Sequence, residues 1–110
     1  MASVSYKILG QQAPAAATEV TLYTVPSATN AIGSSIIACN RSNTYTTINI
    51  SVSKAGATTT NKDYIYYSLT IGAYDTFVAA VGLTLDATDV VRVSSVSGNV
   101  SFTLFGSEIT

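Results

Sequence analysis

Apolar positions recur at every second residue in short runs separated by turn residues. No stretch sustains the i, i+3, i+4, i+7 spacing of an amphipathic helix, so the periodicity is that of β-strands. Over 3–9, Val4, Tyr6 and Ile8 share one face. Residues 10–17, GQQAPAAA, read as a loop around Pro14. In 18–24, Val20 and Leu22 alternate with Thr21, and Pro26 stops the strand because it cannot donate to a ladder. The run IGSSIIAC at 32–39 is mostly small and apolar, as in a strand buried on both faces. The cleanest run is 44–54, where Ile48, Ile50 and Val52 oppose Thr47, Asn49, Ser51 and Ser53. Over 64–71, Ile65, Tyr67, Leu69 and Ile71 fall on an inward face and Tyr64 and Tyr66 on an outward one. The run 76–85 alternates Phe77, Ala79, Val81, Leu83 and Leu85. A strand at 90–95 connects tightly through Ser97, Gly98 and Asn99 to 100–109, where Val100, Phe102 and Leu104 share a face.

About eight such strands, rich in Val, Ile, Thr and Tyr, predict an all-β fold, an antiparallel β-sandwich with alternating inner faces. Jelly-roll and immunoglobulin-like strand orders both fit. An antibody-type domain does not, because there is no Cys…Trp…Cys signature. At 110 residues the chain is read as one domain, 1–110, with 1–17 an extended arm or an edge strand plus loop. A monomer of this size buries about 65% of its unfolded surface, enough for a core without staples.

Charge changes the picture. Five basic residues (Lys7, Arg41, Lys54, Lys62, Arg92) and six acidic ones (Glu19, Asp63, Asp75, Asp86, Asp89, Glu108) make up 10% of the chain and leave a net charge of −1. A typical domain carries about 25% charge. Little repulsion keeps copies of such a surface apart, so much of it is expected to be covered by other protein. The competing reading is that the 30 Ser and Thr residues solvate it. Five scattered basic residues form no phosphate-binding stripe, so no nucleic-acid partner is expected. No window approaches a membrane span. The N-terminus lacks a basic region followed by an apolar run, so synthesis in the cytoplasm is expected.

Candidate chemistry is sparse. Histidine is absent and Cys39 is the one cysteine, which removes Ser-His-Asp and Cys-His triads, cysteine-based zinc clusters and disulfides. Cys39 reads as a small core residue. Asp86 and Asp89 flank a turn and could hold calcium, but LDATDVV has no Gly at the bend, and turn hydrogen bonds are the simpler reading. Asp63 and Asp75 read the same way. There is no nucleophile elbow and no phosphate-cradling glycine loop. The expectation is therefore no enzyme, no cofactor and no metal. Tyr64 and Tyr66 read either as contact residues or as cross-strand packing, with Tyr67 in the core. The interface expected from these residues comprises Tyr6, Tyr64, Tyr66, Arg41 and Arg92, together with the N-terminal segment to Gln12.

The phrases LYTVPSATNAIGSSIIACNRS, KDYIYYSLTI, YDTFVAAVGLTLDATDVVRV and SFTLFGSEIT resemble small virion structural proteins of tailed double-stranded DNA phages, notably those infecting cyanobacteria. The resemblance runs from about Ser5 to the C-terminus. Such proteins often carry an acid where Ser68 follows YIYY here. The resemblance implies a non-enzymatic virion subunit on the capsid or tail. Three functions follow as expectations. The first is a capsid decoration (cement) protein that binds the shell from outside as a homo-oligomer, most simply a trimer, with the major capsid protein as partner. The second is a tail, baseplate or fibre-associated adsorption protein. That role needs aromatic residues in loops, and residues 11–17 and 55–63 contain none. The third is a carbohydrate-binding sandwich, disfavoured by the absence of Trp.

Overall fold

The computed structural model describes residues 3–110. Its strands are β1 (Val4–Gln12), β2 (Val20–Thr24), β3 (Asn30–Asn40), β4 (Thr46–Ser53), β5 (Tyr64–Ile71), β6 (Thr76–Ala79), β7 (Leu83–Leu85), β8 (Val90–Ser95) and β9 (Val100–Ile109). They form two antiparallel sheets. One has the order β1-β9-β3-β6, with β7 also paired to β3, and the other has the order β2-β8-β4-β5. Only β4–β5 and β6–β7 connect within a sheet; every other link crosses between sheets. This is the strand order of a jelly roll. β6 and β7 together fill one strand position.

The core lies where the alternating runs placed it. Ile48 and Ile50 of β4 and Val91 and Val93 of β8 meet Ile36 and Ala38 of β3 and Phe102 and Leu104 of β9, all essentially buried. Phe77, Val81 and Leu83 pack against that cluster, and Leu85 belongs to it.

Bulges decide where the simple alternation fails. β1 continues past Leu9 to Gln12 because a bulge between Ile8 and Gly10 lets it stay paired with β9. The expected loop therefore begins later. A matching bulge between Gly33 and Ser35 moves the inward set of β3 from Ala31 and Gly33 to Ile36, Ala38 and Asn40. β3 is buried on one face, not two: Ile32 on the other is 40% exposed. The expected strand at 76–85 is two strands, broken at 80–82 where Gly82 takes a left-handed φ of +58°.

Two register shifts in β5 overturn the expected tyrosine faces. Tyr66 lies opposite Ile50 and Leu69 opposite Ile48, so both point into the core. Tyr64 lies opposite Ser51, on the outer side. Between them the strand accommodates extra residues. Ser68 sits at φ +52°, and its N–H donates to Asn49 Oδ1 at 2.7 Å. Tyr67 is thereby turned outward and is 68% exposed.

The crossings gather loops at the two ends. At one end, Arg41 N donates to Asn99 O and Tyr74 N to Ser42 O, which brings the β3–β4, β5–β6 and β8–β9 links together. Asn40, itself buried, anchors this end. Its Nδ2 donates to Thr44 O and Gly72 O, and its Oδ1 accepts from Ser42 N. At the other end Val25 N donates to Asp89 O and Ala55 N to Asp89 Oδ1.

Candidate functional site

The five interface residues expected from sequence do not form one surface. Tyr6 is 85% exposed on the outer face of the five-stranded sheet. Tyr64 and Arg92 lie in one row on the outer face of the other sheet, both opposite Ser51. Arg41 is exposed at the loop end, where its Nη2 meets Gly98 O at 3.4 Å. Tyr66 is not outward. It packs against the core and meets Phe77 edge-on, with ring centroids 5.1 Å apart.

Arg92 has a structural role. Its Nη1 donates to Ser53 Oγ, Ala57 O and Thr59 Oγ1, and its Nη2 to Gly56 O. The guanidinium thus folds the 54–60 segment over β4, where Ser51 and Ser53 are buried beneath it. A planar donor fork suits several carbonyl and hydroxyl oxygens at once. An open groove beside this segment is lined by Glu19, Asn49, Thr59 and Tyr64, among others. Its polar groups are already engaged: Glu19 Oε1 accepts from Thr59, and Asn49 Oδ1 accepts from Ser68 N. The T-shaped pair of Tyr64 and Tyr67, at 4.9 Å, borders a second hollow with Asn61.

The carboxylates of the turns bind their own backbone. Asp89 Oδ2 accepts from Asp86 N, Asp86 Oδ1 from Ala87 N, and Asp63 Oδ2 from Thr60 N. Asp75 Oδ1 accepts from Thr76 N. The Thr60 backbone N–H holds the Asp63 carboxyl below its ordinary range. Asp89 is lowered as well: the Ala55 and Asp86 N–H groups and the Lys54 charge outweigh its burial, which acts the other way. Among the described residues no group of three or more His, Cys, Asp or Glu could hold a metal ion.

The unusual surface is the outer face of the five-stranded sheet. Register places Val4, Tyr6 and Ile8 of β1 there with Phe105, Ser107 and Ile109 of β9. Ile32 and Ile37 of β3, Val78 of β6 and Thr84 of β7 extend it. None of these side chains is charged. Val4, Tyr6, Ile8, Ile32 and Val78 are each at least 40% exposed. The charged residues lie at the turns, on the other sheet, or facing inward. Lys7 pairs with Glu108 at 2.5 Å, and Glu108 Oε2 accepts from the Tyr23 hydroxyl across the sandwich. Sequence reading found Tyr6 but missed Ile32, Val78 and Phe105. Their alternation was visible, yet it could not say which phase faced the second sheet. It also missed Tyr45 and Tyr74, 73% and 72% exposed in neighbouring loops. Tyr74 takes φ +54°, a left-handed conformation uncommon for a bulky residue.

No family model and no curated protein matches the sequence. Several solved chains share the fold, two of them as follows. One is a chain in the structure of infectious bursal disease virus Gx strain. It has 10% identity and a TM-score of 0.55 over 99% of this chain, which spans about a third (32%) of that chain's length. The other is a chain in the acidic stable capsid structure of Helicobacter pylori bacteriophage KHP30. It has 17% identity and a TM-score of 0.51, covering 100% of this chain and 94% of that one. At these identities the likeness is one of fold: a jelly roll similar to chains found in a virus structure and in a phage capsid structure.

Proposed function

We propose that the chain is a non-enzymatic virion structural protein of a phage, a decoration (cement) subunit that seats on the outside of the capsid shell. The observation that carries this reading is the uncharged outer face of the five-stranded sheet. The exposed Val4, Tyr6, Ile8, Ile32 and Val78 on that face are stabilised by burial against protein. The virus and phage structures that share the fold support the same reading, above all the chain in the KHP30 capsid structure, whose length nearly equals that of this one. The resemblance of the sequence phrases to virion proteins of cyanobacterial phages supports the same kind of particle. Many equivalent weak contacts on a lattice sum to firm retention. Reconstruction of purified virions tests the proposal. Density for the jelly roll on the shell exterior is the expected result, and density confined to the tail overturns it.

A second reading, tail-associated adsorption, is favoured by one observation. Tyr45 and Tyr74 stand exposed at the loop end beside Arg41. Aromatic residues on loops are a common means of grasping a receptor. Binding of the isolated protein to host cells or glycans would support this reading. A decoration subunit binds neither.

A further inference from the structure

We propose that two copies of this chain associate through β1, edge to edge and antiparallel, with Tyr6 on the twofold axis. Ser3 and Thr110 exchange both backbone hydrogen bonds, at 2.8 and 2.9 Å. Along an antiparallel ladder such exchanging pairs alternate with non-bonded ones. Ser5 and Lys7 therefore turn their backbone groups toward β9, up to the bulge after Ile8. Val4, Tyr6 and Ile8 turn theirs away, and among the described residues β1 has no strand on that side. All five residues from Val4 to Ile8 are exposed. A free strand edge of this kind is a template for another strand.

The occupant that fits is an identical strand. Centred on Tyr6, the antiparallel register sets Val4 against Ile8 of the second copy, Tyr6 against Tyr6, and Ile8 against Val4. Each of these is an exchanging pair, so all the free N–H and C=O groups of the three residues are satisfied. Their side chains lie on the uncharged face and form one apolar cross-strand row. On the opposite side Ser5 meets Lys7, so no like charges stand face to face. Beyond Ile8 pairing stops, because β1 turns onto β2. A Cβ on Gly10 would lie 2.0 Å from Leu22 O, so no room remains there. The joined sheets make one uncharged surface.

The other edges do not offer this. β5 is bulged twice, β2 is five residues long with a bulge between Thr21 and Tyr23, and the β6–β7 edge is broken at 80–82. A head-to-tail ring of three would need one of them, so the geometry points to a dimer in place of the expected trimer. The inference stands apart from the capsid reading, because it is tested on the isolated protein.

Sedimentation equilibrium of the full chain should show a monomer–dimer equilibrium. Tyr6→Lys sets two cations opposite each other and should raise the dimer dissociation constant at least tenfold, with the melting temperature of the monomer unchanged. Tyr6→Cys in a Cys39→Ser background should give a disulfide-linked dimer on mild oxidation, since exchanging pairs have Cα atoms about 5.5 Å apart, within disulfide reach. Ser101→Cys in the same background, on the face but away from the edge, should not. A wild-type chain that stays monomeric at high concentration overturns the proposal. So does a Tyr6→Lys variant that dimerises as well as wild type, or equal cross-linking of the Tyr6→Cys and Ser101→Cys variants.

Discussion

The hydroxyl of Tyr23 on β2 donates to the Glu108 carboxylate on β9 at 2.5 Å and ties one sheet to the other. Lys7 on β1 holds the second carboxylate oxygen at the same distance. Burial, then the bond to Glu108, pushes the Tyr23 phenol far above its ordinary range. The bonds from Lys7 and Tyr23 hold the Glu108 carboxyl below its own.

The two shifts act at opposite ends of the pH scale. Glu108 contributes stability that is present above its unfolded pKa and lost as pH falls through its lower folded value. Tyr23 contributes stability that is present below its unfolded pKa, about 10, and lost as pH rises toward its higher folded value. Chemical denaturation across pH should show both limbs. Tyr23→Phe should flatten the alkaline limb and leave most of the acid limb, because the Lys7 contact remains.

Asn40 links three backbone segments at the loop end, so its removal costs more than one bond. Asn40→Ala leaves Thr44 O and Gly72 O without their donor and should destabilise the fold by about 2–3 kcal/mol. Hydrogen exchange should then rise at 41–45 and 72–75, loosening Tyr45 and Tyr74. Protection in the sheet centres should fall only with the global stability.

Ser51 Oγ is buried without a hydrogen-bond partner among the described residues, beneath the segment that Arg92 holds down. Replacing it with a methyl group removes a desolvated hydroxyl at little cost in volume. Ser51→Ala should be neutral or raise stability by up to ~1 kcal/mol in urea melts, which is unusual for a fully buried position.

Gly106 sits in β9 between β1 and β3, and a Cβ there would lie 2.0 Å from Ile32 O. The obstacle is backbone, which cannot rotate away. Gly106→Ala should cost ~3 kcal/mol or more, at or above the usual range for overpacking, and weaken the β3–β9 pairing first. A thermal melt with amide exchange on Ile32 and Gly33 would read both effects.

Much of the fold was legible because regular strands obey a period of two. Ile48, Ile50 and Val52 on β4, and Val100, Phe102 and Leu104 on β9, face the core as their alternation required. What escaped were the bulges. One inserted residue reverses every side chain beyond it, and nothing in YIYYSL announces that Ser68 will adopt φ +52° under an Asn49 cap. Tyr66 and Tyr67 exchanged places for that reason. The uncharged face was legible only as a total, in the scarcity of charge. Its location depended on which phase of each strand met the second sheet, a three-dimensional fact.

The break at 80–82, where Gly82 takes a left-handed φ, leaves the edge opposite β1 without a continuous strand. A strand left naked on both flanks invites endless addition, copy upon copy, into a fibre. Here the far flank offers two short strands in one position with a gap between them, so a joined pair presents no unbroken strand there on which a third copy can seat. Growth halts at its first step, and the protein can carry a sticky ribbon without becoming a polymer.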